Sequence, residues 1–219
     1  MLFTGLTTLA FLAAAWISGS EGKEYYDVAC PGVFGDLECP DGQTIDSLKI
    51  EHGNKNDANC AARDQAATVS PERCFDTILN ARLVSHCAGL RRCNTPESTP
   101  MLFGCDGSAD FFVQYTYTCK DESPDTRVAK ACQGESVDLK CEQGTISVQK
   151  ALFGRVDPDT CTATPSSRLY CTSYGAEAVV MEQCNGKADC KMRAITDYLG
   201  MPSHCDDLPK YLLVKYLCK

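Results

Sequence analysis

The chain has 219 residues, sixteen cysteines, one tryptophan and a formal net charge of -8. Hydrophobic residues at 44% and charged residues at 23% argue against both a disordered acidic tail and a membrane bundle, and the acidic balance argues against nucleic acid as a partner, because phosphate binding needs clustered lysine and arginine. Cysteine at about 7% approaches the level of a disulfide scaffold, and the length holds one large domain or two of about 100 residues.

Met1 to Ser20 contains no charged side chain and carries the apolar run Leu9 to Ile17. That run falls short of the about 20 residues needed to span a bilayer. Small residues follow it (Ser18-Gly19-Ser20), then Glu21 and Lys23. This is the grammar of a secretory signal peptide over residues 1–20, so the expectation is a secreted, extracellular protein with no membrane span. Cleavage near Ser20 removes Trp16, the only tryptophan. All sixteen cysteines lie beyond it, and an even number in an oxidising compartment reads as disulfides. No Cys-x-x-Cys pair exists to favour a metal site.

The cysteines also reveal a repeat. Cys30, Cys39, Cys60, Cys74, Cys87, Cys93, Cys105 and Cys119 are separated by 9, 21, 14, 13, 6, 12 and 14 positions. Cys132, Cys141, Cys161, Cys171, Cys184, Cys190, Cys205 and Cys218 are separated by 9, 20, 10, 13, 6, 15 and 13. The chain therefore reads as a tandem duplication. In chain order, Ser70-Pro71-Glu72 has the form of a helix start, and Ile78, Leu79, Leu83 and Val84 recur at helical spacing. Phe111 to Tyr117 reads as a strand, and Lys120 to Thr126 as a short polar linker. In the second copy the apolar block Ala178 to Met181 matches the helix, and Tyr211 to Tyr216 the closing strand. Charge is unequal: residues 21–123 carry 17 acidic and 9 basic side chains, residues 124–219 carry 12 of each. Either the first copy is simply well solvated or the two copies face different partners.

The second copy reads Cys132-Gln133-Gly134, then Phe153-Gly154-Arg155, Cys184-Asn185-Gly186-Lys187, and Lys210-Tyr211-Leu212 running to Cys218. It resembles the sea-urchin-egg-lectin (SUEL) type domain of the rhamnose- and galactose-binding lectins. That family begins with Cys-Glu-Gly and carries Tyr-Gly-Arg, Cys-Gly-Gly-Lys, Gly-Asp-Pro-Cys and Lys-Tyr-Leu motifs. The first copy matches mainly through its cysteine frame. The resemblance implies an α/β (α+β) class: two tandem small disulfide-stapled lectin-like domains over residues 24–120 (degenerate) and 127–219, each with a small antiparallel sheet, short helices and long loops. It also implies the pairings Cys30–Cys60, Cys39–Cys119, Cys74–Cys105 and Cys87–Cys93, then Cys132–Cys161, Cys141–Cys218, Cys171–Cys205 and Cys184–Cys190.

By the same resemblance, a sugar would be held in the second copy by Gln133, Phe153, Arg155, Lys210 and Tyr211. Gln133 stands where the family has glutamate, and Met201 where its loop has aspartate. Asp206 and Asp207 are alternative carboxylates. The first copy has Pro31, His52-Gly53-Asn54 and Asp110-Phe111 at the matching places, so no sugar constellation is expected there. An enzyme is not expected: there are three histidines and no nucleophile elbow, zinc helix or phosphate loop. Asp157 and Asp159 fall short of a calcium ligand set, and no cofactor or metal is implied. The partners expected are cell-surface or matrix glycans or glycoproteins, with the oligomeric state left open. The alternative is a lectin scaffold that has lost its sugar site and serves as an extracellular interaction module, matrix component or venom constituent.

Overall fold

Apolar residues alternate with polar ones along the ribbon strands, as one buried face requires, while the central strands of the second sheet carry continuous buried runs. In β7, Val137 and Leu139 are buried and Asp138 and Lys140 exposed. The computed structural model describes residues 23–29, 35–53, 77–95, 112–162, 171–202 and 208–219. The first half comprises β1 (Glu24–Ala29), β2 (Asp36–Glu38), β3 (Gln43–Gly53), α1 (Thr77–Cys87), β4 (Arg92–Asn94) and β5 (Phe112–Asp121). The second comprises β6 (Arg127–Cys132), β7 (Ser136–Lys140), β8 (Ile146–Arg155), β9 (Cys171–Thr172), α2 (Ala176–Cys184), β10 (Asp189–Arg193), α3 (Thr196–Leu199) and β11 (Tyr211–Cys218).

All strand pairs are antiparallel. The main sheets run β1-β5-β3 and β6-β11-β8-β9, each with the last strand of its half between two others, and the ribbons β2-β4 and β7-β10 stand beside them. The corners agree bond for bond. Cys39 donates its amide to Arg91 O and Cys141 to Ala188 O, both at 2.8 Å. Gly89 donates to Ile45 O and Gly186 to Ile146 O, both at 2.9 Å. The Tyr117 hydroxyl bonds both backbone groups of Glu38 at 3.1 Å, and the Tyr216 hydroxyl bonds those of Lys140 at 3.3 and 3.4 Å.

The structure contains the bridges Cys39–Cys119, Cys87–Cys93, Cys132–Cys161, Cys141–Cys218 and Cys184–Cys190. Each closed loop stabilises the fold by about 2–4 kcal/mol, which matters where a half of this size buries a modest core. Cys30–Cys60, Cys74–Cys105 and Cys171–Cys205 each include a cysteine outside the described residues, and the expected signal segment and Ser70-Pro71-Glu72 also lie outside them. The class is mixed α/β, small and disulfide-rich, with small antiparallel sheets and short helices. One expectation needs correcting. Lys120 and Asp121 are not linker but the end of β5, paired with Thr44 and Gln43, so the connector between the halves shrinks to residues 122–126.

The halves pack against each other. Leu152 and Leu213 of the second half join the core cluster built from Leu37, Ile45, Leu83, Tyr115 and their neighbours in the first. The carbonyl end of α1 meets two ammonium groups: Lys150 donates to Ser85 O and Lys215 to Gly89 O at 3.0 Å. Gly89, with φ of +77°, supplies the left-handed turn that ends the helix. Glu177 lies 3.3 Å from the Lys150 ammonium and Glu122 lies 2.7 Å from that of Lys215. Beside the first pair, His86 Nδ1 sits 3.0 Å from the Thr172 hydroxyl.

Burial, with the Lys150 charge nearby, pushes the His86 imidazole down to about 3, so it stays neutral in the folded protein. The unfolded chain takes up this proton below about 6.5, so the folded state loses stability as pH falls from there toward the depressed value. A thermal melt series should show the midpoint falling between about pH 7 and about pH 4, with a shallower fall in His86→Gln; an unchanged slope in the variant would remove His86 from the junction's pH response.

Candidate functional site

Three strands bring the sequence-predicted residues to one end of the second sheet. Tyr211 is paired with Cys132 of β6 on one side and with Gly154 of β8 on the other. The Gln133 amide then donates to Lys210 O at 2.8 Å. Gly154 sits between Phe153 and Arg155 because β9 crosses there: a Cβ would lie 1.8 Å from Cys171 O, and the φ of +151° favours glycine.

Arg155 is completely buried without a carboxylate partner among the described residues. Its guanidinium donates instead to four carbonyls: Pro209 at 2.9 Å, Asp157 at 2.9 Å, Pro158 at 3.1 Å and Thr160 at 2.7 Å. Burying a charge is tolerable only when its donors are satisfied, and this fork is satisfied by the loop that it folds. Asp157 closes the same loop. Its Oδ1 accepts from the amides of Asp159 and Thr160 at 3.1 and 2.6 Å, and its Oδ2 accepts from the hydroxyls of Thr160 and Tyr211, both at 2.7 Å. The Tyr211 hydroxyl also accepts from the Val156 amide at 3.1 Å. Lys130 stands 3.5 Å from Asp157 Oδ2 and 5.7 Å from the Tyr211 ring centre.

These contacts fix the protonation states. Burial works against the Asp157 carboxylate, but the hydrogen bonds from Tyr211 and Thr160 and the Lys130 charge outweigh it and hold the group down to about 2. Burial first, and then the bond to Asp157, push the Tyr211 phenol up. The pair is thus a neutral phenol donating to a fixed carboxylate, a rigid frame rather than an acid–base couple.

The five expected sugar residues therefore take different places. Gln133 is exposed. Lys210 is 5% exposed and its ammonium gives one donor to Leu208 O at 3.2 Å. Phe153 and Arg155 are fully buried and Tyr211 nearly so: Phe153 packs in the second core cluster, and Arg155 and Tyr211 hold the loop. Asp206 and Asp207 lie outside the described residues. Met201, at the position of the family's aspartate, is 66% exposed. Sequence reasoning missed Asp157 as the loop's anchor. Its signal was the Asp157-x-x-Thr160 spacing of a self-bonded turn. It also passed over Glu135, whose carboxylate accepts the Cys132 amide at 3.1 Å.

Comparison with known proteins gives the setting. A family model described as the D-galactoside/L-rhamnose binding SUEL lectin domain matches residues 139–218. The L-rhamnose-binding lectin CSL1 of Oncorhynchus keta is 30% identical over 154 residues, 68% of this chain and 51% of the relative. The L-rhamnose-binding lectin SML of Scomberomorus niphonius is 38% identical over 98 residues, 42% of this chain and 48% of the relative. The L-rhamnose-binding lectin ELEL-1 of Echinometra lucunter is 33% identical over 92 residues, 41% of this chain and 87% of the relative. The chain spans about half the length of the first two. With a relative at this identity matched over most of its length, and with its own sheet-end corner built from the motifs of that domain, the chain belongs to the SUEL lectin domain family.

Proposed function

We propose that this is a secreted lectin that binds terminal galactose- or L-rhamnose-type sugars on cell-surface or matrix glycoproteins, chiefly through a second domain over residues 127–219, with residues 24–120 as a supporting domain. The observation that carries this reading is that Gln133 and Lys210 are neighbours, joined backbone to backbone at 2.8 Å beside the frame made by Arg155, Asp157 and Tyr211. An amide and an ammonium held by a rigid loop are suited to vicinal hydroxyls, because ordered polar groups lose little entropy on binding. In this reading the exposed Gln133 and the ammonium end of the largely buried Lys210 meet the sugar, and Arg155, Asp157 and Tyr211 position them. The names of the relatives support the sugar class.

One observation favours the other reading, an interaction module without sugar binding: Met201 presents an exposed thioether where the family has a carboxylate. A glycan array separates the two. The lectin reading expects galactose- or rhamnose-terminated glycans to bind, with Lys210→Ala losing about tenfold or more, the effect of removing a charged hydrogen-bond donor. Absence of binding to any such glycan supports the module.

The frame has its own test. A carboxyl held near 2 contributes stability above the ordinary carboxylate range and loses it as pH falls through its depressed value. Between about pH 4 and about pH 2 the wild-type melting midpoint should drop more steeply than that of Asp157→Asn, which starts lower at neutral pH; parallel curves would show that the carboxylate is not held by these bonds.

A further inference from the structure

Between α1 and the β8–β9 edge lies a cavity of about 250 Å³ that shares no lining residue with the corner formed by Gln133 and Lys210. Its polar wall combines Arg82, Ser85, Thr172 and Glu177, and its apolar side includes Leu152 and the ring of Tyr174. The charges within it do not cancel. Lys150 is matched by Glu177 at 3.3 Å, and His86 is neutral. Arg82 is exposed, and no carboxylate among the described residues lies within ion-pair distance of it. Its guanidinium lies 5.0 Å from the centre of the Tyr174 ring, which is 41% exposed. A cation held over a ring face in this way keeps the fork near one place while leaving its N–H groups able to donate to a ligand.

We propose that this cavity is a second glycan site, selective for a sugar that bears one acidic group, a carboxylate or a sulfate. The acidic group pairs with the Arg82 fork, which matches planar anions in two-point fashion. The sugar's hydroxyls meet the Ser85 and Thr172 hydroxyls and the Glu177 carboxylate, and its apolar face lies along Leu152. A single net positive charge fits one anionic substituent. A polyacidic peptide fits less well, because the first half that carries Arg82 has 17 acidic against 9 basic residues and repels it. The site does not depend on the neutral-sugar corner, and it draws on both halves of the chain.

Titration calorimetry of the full chain tests it, with methyl glycosides of N-acetylneuraminic acid and glucuronic acid, galactose 6-sulfate, neutral galactose and L-rhamnose, and a glutamate-rich peptide as probes. At least one acidic sugar should bind, more weakly as salt rises. Arg82→Gln should lose about tenfold or more of that affinity, with Arg82→Lys intermediate, while neutral-sugar binding stays as in the wild type. The carboxylated and sulfated probes distinguish the two sources of the charge. Failure of every acidic sugar to bind, equal binding by Arg82→Gln, or Arg82-dependent binding of the peptide alone would overturn the proposal. Galactose and rhamnose measured in the same series, with Lys210→Ala, report separately on the neutral-sugar reading, so either can fail without the other.

Discussion

The junction of the halves rests on ammonium groups meeting a helix end. The last carbonyls of a helix have no partner within it and carry its negative pole. In α1 this end faces the second sheet, and donors from that sheet reach its carbonyls. Lys150 and Lys215 supply the donors, and the same contacts account for the cost of burying the lysines. Burial holds the Lys150 ammonium's pKa below its ordinary value, with Glu177 opposing the shift. Once these bonds are made, Leu83 of α1 and Leu152 and Leu213 of the second sheet share one apolar cluster, and the cavity at Arg82 takes its shape from the same packing.

A second buried cation organises the far end of that sheet. Among the described residues Arg155 has no countercharge at ion-pair distance and is satisfied by carbonyls, so it dictates the path of residues 157–160 and 209 rather than serving a ligand. Asp157 and Tyr211 then lock that loop from the other side. A binding surface built on such a loop is preorganised: its polar groups are already desolvated and oriented before a ligand arrives.

Much of the fold was legible because cysteine spacing is a local count that survives divergence, and because strand and helix composition is local too. The closing strand from Tyr211 was visible in its aromatic and β-branched residues, and the helix around Ala178 to Met181 in its apolar block. The end of β5 was misread as linker because Lys120 and Asp121 are polar; their strand character comes from pairing with Thr44 and Gln43, far away in sequence. The burial of Phe153 and Arg155 was hidden for a related reason. A motif names residues together, but only the burial decides which touch solvent and which support those that do. Lys150 and Lys215 gave no sign at all, since their partners Ser85 and Gly89 lie 65 and 126 positions away.

The connector has shrunk to residues 122–126, and even there it is engaged: the Glu122 amide donates to Gly42 O at 2.8 Å and its carboxylate meets Lys215. Covalent continuity at this point adds little to what packing, ion pairs and the helix end already hold. The two halves are related as the subunits of a dimer that share a backbone. A change in α1 of one half is felt as a change of interface by the other.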